Sequence, residues 1–498
     1  MEIGDIMNLS KSRYCVGIRC QKELWLSCYK EEVAKEQDND VIIENGNKVG
    51  EFARGLFGNY ILIENNDNKE KMIQETKKYL AKKPNIICEA SFSYLNNFCS
   101  VDILKNDEDG VEVYEVKAST QKNDIYIDDI SYQTWVLKKC GLNVKKSYLV
   151  YVNKKYIKKG EVDSNSFFKI EEITLRPMEE IEENIKKLEM TINNSQEPDI
   201  DLSVNCKKNK KVPYDCPYFQ YCTRNLPTPN IFDVGWKTTF TKKLGFYYQN
   251  KLSYSDILSE GGINPKADLQ MSSELNNLGP KIDIDSIKSF LSTLTYPLYF
   301  LDFESYQVAI PEIDGTHPYQ QICFQYSLHY YLEENKELYH KEFLSDDYNG
   351  NPMRGLCKQL CEDIPMNSCV IVYNQSFEIT RLKEMAALFP EYRTHLLNIA
   401  SNIKDLYPIF RDQEYYVKEM GGSSSIKEVL PALFPNDPSL DYHNLNQVHK
   451  GDEASEAFLS LRTKSREEQE ELRHNMLKYC ELDTYATVKI LQKLKTIK

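Results

Sequence analysis

The sequence predicts an α/β protein with two domains, because two β-rich segments are each followed by a helix-forming segment and a proline-containing stretch lies between them. The first segment is "FCSVDILKNDEDGVEVYEVKAS", in which two β-prone runs flank a turn sequence. The second begins at Tyr299 with "YFLDFESY" and leads into helices. Between them, "TRNLPTPNIFDVGW" contains two prolines near residues 223–235, which indicates a domain boundary.

These signals divide the chain into three parts. A first domain is expected at residues 1–228, a helical connector at 229–294 and a second domain at 295–498. Within the connector, "NPKADLQMSSELNNLGPK" is expected to be loop-like, and a short helix follows it. The apolar stripe of this helix consists of Ile284, Ile287, Leu291 and Leu294. A long charged helix is expected after residue 465.

The composition is that of an ordinary globular protein, with 498 residues, 41% hydrophobic and 28% charged. No uncharged apolar run approaches the roughly 20 residues of a membrane span. The start, "MEIGDIMNLSKSRY", lacks the basic and apolar regions of a signal peptide. We therefore expect a cytoplasmic protein that does not bind membranes. In a reducing compartment most of the 14 cysteines are expected to be buried apolar residues, with a subset available to metal.

The net charge of −13 argues against a generic nucleic-acid coat protein, which would usually be basic. It leaves a nuclease open, because acidic metal sites add negative charge of their own. Two lysine-rich stretches could hold phosphates: Lys138–Lys159, which is interleaved with tyrosines, and "KKNKK" at Lys207–Lys211. The favoured interpretation of both is a solvated lysine face.

The turn sequence "NDEDG" leaves two hairpin registers open for the first β-rich segment. If "ED" forms the loop, Asp102 lies opposite Glu115, whereas with "DG" as the loop it faces Lys117. Both registers place these three side chains on one face, because a shift of two residues preserves the face. Two carboxylates and a lysine so arranged can hold a divalent cation and an activated water, with the ammonium stabilising developing charge.

Two further residues are candidates for the same site. Glu89, in "IICEASF" on the preceding β-prone run, is a third acid. Gln133 lies in the helix-forming "DDISYQTWVLKKCG" on the same stripe as Ile130. A glutamine on an apolar stripe either faces the site or lies at the edge of the stripe, and both interpretations stay open.

This pattern resembles the RecB-like branch of the PD-(D/E)XK nucleases, which have a restriction-endonuclease-like fold. The family pattern is an aspartate, then Glu-x-Lys, then a helix with a glutamine, here Asp102, Glu115-Val116-Lys117 and Gln133. The resemblance implies catalytic roles for these residues and a Mg²⁺ or Mn²⁺ ion held by Asp102, Glu115 and Glu89. The chain departs from the family in "GNKVG", where Gly50 stands at the position of the family's histidine.

The cysteines resemble the iron–sulfur variant of this branch, which includes CRISPR-associated nucleases and the AddB helicase-nuclease subunit. That variant has one N-terminal and three C-terminal cysteines. The matching residues are Cys20, Cys206, Cys216 and Cys222. The resemblance implies a [4Fe–4S] cluster that fastens both ends of the domain together. A Zn²⁺ ion would satisfy the same four thiolates, and Cys15 or Cys28 are alternatives to the first cysteine.

The stretch "YFLDFESY" places two carboxylates, Asp302 and Glu304, on the same face of one strand. Like charges so close repel, so a metal ion between them would explain the pair, although a strand end with its acids in solvent is the alternative. "VIVYNQSFEITRLKEMA" places Glu378 near the start of a helix. In "LKYCELDTYATVKIL", Tyr479 and Asp483 lie four residues apart on one helix face.

These five residues resemble the DEDDy exonucleases of the DnaQ/RNase D type, which have an RNase H-like fold. The resemblance implies that Asp302, Glu304 and Asp483 hold two Mg²⁺ or Mn²⁺ ions for phosphodiester hydrolysis. It further implies that Glu378 completes their ligand shell, that Tyr479 orients the attacking water, and that degradation runs 3′→5′.

One residue of this pattern departs from the family, because the second motif usually ends in Phe-Asp and this chain has Phe377-Glu378. The extra methylene moves the carboxylate by roughly a bond length. Asp405, in "IKDLYPIF", is a candidate supporting residue that matches no metal ligand of the family.

Together the two resemblances indicate a bacterial family that fuses these nuclease types. The leading hypothesis is a metal-dependent DNA nuclease with two active sites that acts on DNA with single-stranded ends. A role in DNA repair or anti-phage defence, with a helicase or defence-system partner, follows only by analogy. The first alternative is an RNA-processing 3′→5′ exonuclease whose N-terminal domain mainly binds nucleic acid. The second is a non-catalytic scaffold with a degenerate site, which Gly50 and Glu378 would support.

Overall fold

A computed structural model describes the chain over four ranges, residues 9–35, 40–64, 68–82 and 84–497. The first eight residues, on which part of the signal-peptide prediction rests, lie outside these described residues. In the described ranges, no helix combines the length and the apolar character needed to cross a bilayer. The chain forms mixed α/β structure with several sheets that combine parallel and antiparallel strands.

The chain separates into two compact units. The first consists of Met1–Leu226 with Val308–Tyr319, and the second of Pro227–Gln307 with Gln320–Lys498. The expected connector, residues 229–294, therefore forms part of the second unit.

The first unit contains a seven-stranded mixed sheet. Its strands are β1 (Leu9–Ser10), β2 (Ile61–Leu62), β3 (Ile86–Tyr94), β4 (Asn97–Asp107), β5 (Gly110–Lys117), β6 (Val144–Val152) and β7 (Phe168–Glu172). They follow the order β2-β3-β4-β5-β6-β7, and β1 pairs with β4. The hairpin of β4 and β5 has Asp107 opposite Gly110, so its loop is Glu108-Asp109. This is the register in which Asp102 lies opposite Glu115.

Among the described residues of the first unit, eight helices accompany this sheet. They are α1 (Lys11–Arg19), α2 (Gln21–Tyr29), α3 (Asp40–Arg54), α4 (Lys69–Ala81), α5 (Asp124–Lys139), α6 (Ser164–Phe167), α7 (Met178–Ile192) and α8 (Phe219–Thr223). Helix α5 connects the parallel strands β5 and β6, as a crossover between parallel strands requires. The rings of Tyr14 and Tyr132 stack at 4.6 Å and hold α1 against α5. This contact brings the start of α1 close to β4 and β5, the strands that carry Asp102 and Glu115.

The second unit contains a five-stranded sheet and a short two-stranded one. Its strands are β8 (Lys281–Ile282), β9 (Leu298–Tyr306), β10 (Ile322–Tyr331), β11 (Tyr339–Leu344), β12 (Cys369–Val372), β13 (Ile403–Asp405) and β14 (Tyr415–Tyr416). The large sheet has the order β11-β10-β9-β12-β13. Strand β9 is antiparallel to β10 and parallel to β12. The strand that carries two of the expected site acids is therefore the central one.

The helices of the second unit include the expected long C-terminal one. They are α9 (Phe240–Tyr248), α10 (Tyr254–Ser259), α11 (Pro265–Asn276), α12 (Ile284–Leu291), α13 (Pro352–Asp363), α14 (Ser376–Leu388), α15 (Arg393–Ser401), α16 (Tyr407–Arg411), α17 (Ile426–Leu433), α18 (Gly451–Ser460) and α19 (Arg466–Lys495). Helix α19 packs across β9, β10, β11 and β12.

The prediction of a loop-like segment around residues 264–280 was wrong, because α11 occupies most of it. Asn264 caps this helix by accepting from the backbone N–H groups of Lys266 and Ala267, and Pro265 occupies its first turn. Ala267 and Met271 are fully buried, so one apolar face holds the helix in place. The polar composition of the segment is typical of a loop, whereas its capping residues and the spacing of its apolar residues are typical of a helix.

Alternation along β10 shows which helix covers which face of the large sheet. The Tyr326 hydroxyl donates to Asp363 of α13 at 2.6 Å. The next residue, Ser327, lies 2.7 Å from Thr484 of α19. The two helices therefore cover opposite faces. Ser327 pairs with Asp302 across the ladder, so Asp302 lies on the face that α19 covers.

Candidate active sites

The first candidate site lies on β4, β5 and α5 and brings together four of the expected residues. Lys117 Nζ lies 2.6 Å from Glu115 Oε1, and Gln133 Nε2 donates to Glu115 Oε2 at 2.6 Å. The backbone N–H of Val116 donates to Asp102 Oδ2 at 2.7 Å. Glu115 and Gln133 are almost fully buried. The glutamine on the apolar stripe therefore faces the site.

Two residues of this site were missed from the sequence. Asp129 Oδ2 lies 2.8 Å from Lys117 Nζ, and its Oδ1 accepts from Gln133 Nε2 at 2.8 Å. Asp129 lies one helical turn before the glutamine, so helical spacing could have revealed it. Lys11 Nζ lies 3.2 Å from Glu115 Oε1 and belongs to α1. Only tertiary structure brings it there.

Glu89 lies at the margin of this site. It interrupts the β3–β4 ladder with a positive φ of 59°, and its Oε1 lies 3.5 Å from Arg54 Nη2. Burial raises the pKa of Glu89, and the charge of Asp102 raises it further. The charge of the site therefore acts on the carboxyl of Glu89, which itself forms an ion pair with Arg54.

The cations of the first site largely balance its acids. Burial raises the pKa of Glu115 to about 7, with the charges of Asp102 and Asp129 adding to the shift and those of Lys11 and Lys117 opposing it. Burial also raises the pKa of Asp129, but the charges of Lys117 and Lys11 outweigh it and hold the pKa below its ordinary value. Two ammonium groups thus already neutralise the acids that a metal ion would bind.

Three of the four expected cysteine thiols, those of Cys20, Cys206 and Cys222, lie near one another, and Cys216 contacts Cys206 through its backbone. Cys20 precedes α2, Cys206 ends a short 3-10 turn, and Cys222 lies in α8. The backbone N–H of Cys216 donates to the carbonyl of Cys206 at 3.0 Å. Burial raises the pKa of the Cys222 thiol to about 11, and the thiols of Cys206 and Cys20 contribute to the rise. Electrostatic coupling of this kind requires the thiols to be neighbours.

The spacing of these thiols is wider than a single tetrahedral ion requires. A zinc ion with Zn–S distances of about 2.3 Å would hold four sulfurs about 3.8 Å apart. No three of the four thiols, all of them among the described residues, come within 4.8 Å of one another. Of the alternative ligands, Cys15 lies against the Ile125 carbonyl, with its Sγ 3.9 Å from the oxygen, and Cys28 packs against the main apolar core of the unit.

The second candidate site begins with the acids of β9. One ligand atom each of Asp302, Glu304 and Cys480 lies within 4.8 Å of the other two. Cys480 belongs to α19, and its Sγ lies 4.0 Å from Asp302 Oδ2. Glu304 and Cys480 are buried. The alternative of a strand end with both acids in solvent is therefore wrong, because α19 covers this face of the strand.

Helix α19 contributes the two other expected residues, Tyr479 and Asp483. Asp483 Oδ1 accepts a 2.6 Å hydrogen bond from the hydroxyl of Tyr442. Lys427 Nζ lies 5.4 Å from the ring centre of Tyr442 and 5.5 Å from that of Tyr479. Tyr442 and Lys427 were missed from the sequence, because distant parts of the chain bring them to the site.

Glu378 occupies the start of α14, beyond the end of β12. Its side chain is 2% exposed, and its Oε2 has no hydrogen-bond partner among the described residues. Burial raises the pKa of Glu378 to about 8, and the charge of Asp405 contributes. Asp405 Oδ1 accepts from the backbone N–H groups of Asn374 and Tyr407 at 2.8 and 2.9 Å. Asp405 thus braces the loop that leads to Glu378.

The acids of the second site lack matching cations. Burial raises the pKa values of Asp302 and Glu304 well above their ordinary range, and the charge of Asp483 raises both further. Glu378 adds to the shift at Asp302, and Lys427 alone opposes it. Burial also raises the pKa of Asp483, in spite of its hydrogen bonds. Lys427 thus opposes the charges of Asp302, Glu304 and Asp483. Arg381 opposes that of Glu378. Among the described residues the acids outnumber these two cations, which favours their protonated forms unless a further cation binds.

Many of the lysines in the two lysine-rich stretches pair with acids. Their ion pairs are Lys139–Glu182, Lys145–Asp107, Lys146–Glu172, Lys158–Asp314 and Lys207–Asp215. These pairs are consistent with solvated faces and leave fewer lysines to bind phosphate.

Comparison with known families gives one match within the second unit. Residues 299–425 match the model of a domain of unknown function, DUF2779. The matched segment contains Asp302, Glu304 and Glu378 and ends before α17.

Curated proteins similar to this chain come from mycoplasmas and a ureaplasma. "Uncharacterized protein MG366" of Mycoplasma genitalium is 31% identical over 210 residues, which cover 39% of this chain and 31% of the relative. Its Mycoplasma pneumoniae homologue is 30% identical over 223 residues, or 41% and 33% of the two chains. "Uncharacterized protein UU173" of Ureaplasma parvum is 27% identical over 306 residues, or 57% and 43%. The chain thus spans less than half the length of these relatives.

The raised pKa of Glu378 predicts that the metal-free protein loses stability as the pH rises. The folded state binds this proton up to about pH 8, whereas the ordinary carboxyl pKa is 4.5. The stabilisation is therefore complete below the unfolded pKa and is lost as the pH rises through the folded one. Chemical denaturation in EDTA from pH 5 to 8 should show this decline, and Glu378→Gln should make it shallower.

The exposed Glu362 of α13 offers a matched control, because Glu362→Gln makes the same chemical change outside the site. This variant should retain the wild-type slope. A slope that is equal in the wild type and Glu378→Gln would contradict the assignment of a buried, protonated acid.

Proposed function

We propose that this protein is a metal-dependent nuclease that hydrolyses phosphodiester bonds, with its main active site in the second unit. The observation that carries the proposal is the group of acids on β9, α14 and α19, which among the described residues outnumber the cations that oppose them, Lys427 and Arg381. Proteins retain such an arrangement at a cost in stability, so it points to a function that requires cations.

The donor set of the second site fits Mg²⁺ or Mn²⁺, which prefer carboxylate oxygens. Asp302, Glu304 and Asp483 would hold the ions, and Glu378, whose Oε2 lacks a partner among the described residues, would complete the shell. Two such ions would activate a water and stabilise the charge that develops on the phosphate. Cys480 lies in the same group but is a soft ligand that these ions do not favour.

The neighbouring side chains fit supporting roles in this reaction. Burial, and then the charge of Asp483, raises the pKa of Tyr479, so its hydroxyl stays protonated and can orient a water. Tyr442 holds Asp483 through its hydrogen bond. Lys427 is exposed and lies beside both tyrosine rings, where its ammonium can attract a phosphate.

The sheet of the second unit supports the same proposal. Its central strand has an antiparallel neighbour on one side and a parallel neighbour on the other, with the acids on the face under α19. This agrees with the RNase H-like exonuclease fold that the DEDDy resemblance implies. We therefore propose 3′→5′ polarity for this site.

We propose the site of the first unit as a second nuclease centre of the PD-(D/E)XK type. Asp102 and Glu115 would bind one Mg²⁺ or Mn²⁺ ion, and Lys117 would stabilise the charge of the transition state. Lys11 pairs with both acids, so an ion would have to displace its ammonium. That pairing specifically favours the alternative in which the first unit binds nucleic acid and the second unit alone cuts it.

We also propose that the four cysteines hold a [4Fe–4S] cluster. Each thiolate of such a cluster binds a different iron, so the sulfurs lie farther apart than around one zinc ion. Cys20, Cys206, Cys216 and Cys222 supply the four thiolates that such a cluster needs, and a Zn²⁺ ion is the alternative. Its contribution would be to join the two ends of the first unit.

The substrate we propose is DNA with single-stranded ends, because the first unit resembles DNA nucleases. RNA is the alternative, since the chemistry of the second site would serve either. Participation in DNA repair or antiviral defence, a helicase or defence-system partner and a cytoplasmic location are proposed by analogy with the resembled families.

The degradation of end-labelled strands tests the main site. Purified protein with Mn²⁺ should shorten single-stranded DNA from its 3′ end, and Asp302→Asn should abolish this activity because it removes a metal ligand. The exposed Asp346 provides the matched control, and Asp346→Asn should degrade normally. Matched RNA strands decide between the substrate classes. Wild-type rates in Asp302→Asn would refute the catalytic role of β9.

The first unit is tested in the Asp302→Asn background, where only its own cutting remains. Lys117→Ala should abolish that cutting and leave DNA binding largely intact, because the lysine acts mainly in the transition state. Cleavage on circular single-stranded DNA and binding by fluorescence anisotropy separate the two effects. Normal cutting by the double variant would exclude the PD-(D/E)XK assignment, and no cutting by Asp302→Asn itself would favour the binding alternative.

A further inference from the structure

A second group of metal-ligating side chains lies in the second unit, apart from the acids described above. His329 of β10, His340 of β11 and Glu481 of α19 each place one ligand atom within 4.8 Å of the other two. The two imidazole rings lie 4.4 Å apart at an interplanar angle of 32°. Three separate elements thus bring two nitrogen ligands and one oxygen ligand together.

A chain of hydrogen bonds joins both imidazoles to hydroxyl groups, and the assignment of its donors that starts from Thr484 is the following. The Thr484 hydroxyl donates to the carbonyl of Glu481 at 3.1 Å, so its oxygen acts as an acceptor towards its other partners. These partners are His329 Nδ1 at 2.8 Å and Ser327 Oγ at 2.7 Å. The Ser327 hydroxyl proton is used in that bond, so His340 Nε2 donates to Ser327 Oγ at 2.9 Å.

This proton assignment leaves one bare nitrogen on each ring, Nε2 of His329 and Nδ1 of His340. Metal-binding histidines are held in the same way, with the second ring nitrogen donating to a fixed acceptor. Burial, and then the charge of the neighbouring His340, lowers the pKa of His329 to about 4. Both observations describe neutral imidazoles with a free lone pair.

We propose that His329, His340 and Glu481 bind one Zn²⁺ ion. Two imidazoles and one carboxylate form a recurrent zinc ligand set, which leaves a fourth position for water. The same set suits Mg²⁺ and Mn²⁺ poorly, so this site differs in chemistry from the all-carboxylate group on β9. With Zn–N and Zn–O bonds of about 2.0–2.2 Å, tetrahedral ligands lie about 3.4 Å apart, which small side-chain rotations can reach.

The surroundings leave room for the ion and its fourth ligand. His329 and Glu481 line a cavity of about 350 Å³ together with Lys478, Tyr485 and neighbouring residues. Lys478 Nζ lies 2.7 Å from Glu481 Oε2, which leaves the second carboxylate oxygen for the metal. A bound ion would fasten α19 to the β10–β11 hairpin. Because α19 also carries Tyr479 and Asp483, the ion would position the helix of the proposed active site.

The test measures zinc binding directly and does not depend on nuclease activity. Zn²⁺ is titrated against a chromogenic chelator in buffer with excess Mg²⁺, and bound zinc is counted by elemental analysis after dialysis. The wild type should bind one more zinc ion per chain than His329→Gln. The affinity of the wild type for zinc at that site should be more than about 100-fold higher than that of the variant. His474 lies exposed on α19, and His474→Gln should bind zinc like the wild type.

Two further measurements separate ligand loss from misfolding and from binding at thiols. Thr484→Val keeps the shape of a buried side chain but removes the acceptor of His329, so affinity should fall about 10–100-fold in a folded protein. Glu481→Gln, at a partly exposed position, should also lose the zinc. Co²⁺ at this site should lack the thiolate charge-transfer band expected at cysteines. Equal zinc content in the wild type, His329→Gln and Glu481→Gln would overturn the proposal.

Discussion

The burial of like-charged carboxylates beneath α19 is the constraint on which the second unit depends. Asp302 and Glu304 share one face of the central strand, and Asp483 lies on the helix that covers it. Burial raises the pKa values of all three acids, and the charge of Asp483 adds to the shifts of the other two, so without a cation the group must hold protons or repel itself. The helix, the loop at Tyr442 and the start of α14 are arranged around this group.

The two groups of acids in the chain differ in how their negative charges are compensated. In the first unit, Lys11 and Lys117 pair with Glu115, and the pKa of Asp129 falls below its ordinary value. In the second unit Lys427 opposes the charges of Asp302, Glu304 and Asp483, and Arg381 opposes that of Glu378. A group of acids with its own cations needs no metal ion to offset its charge, whereas a group with too few cations would gain stability from any cation that it bound. For this reason the main active site is proposed in the second unit.

Local periodicity predicted much of both sites. Strand alternation placed Asp302 beside Glu304, and the turn sequence restricted Asp102 to two registers on the same face as Glu115. Lys11, Lys427 and Tyr442 could not be predicted, because packing between distant segments brings them to the acids. Helix α11 begins with a local capping signal, Asn264-Pro265, but the polar residues of the segment are equally typical of a loop.

The release of protons on metal binding tests the central claim most directly. If buried acids of the second unit hold protons until cations replace them, Mn²⁺ binding near pH 7 should release at least about one proton more from the wild type than from Asp302→Asn. Calorimetric titrations in buffers of different ionisation enthalpy measure this number. Equal proton release from the two proteins, or Mn²⁺ binding without any release, would contradict the account.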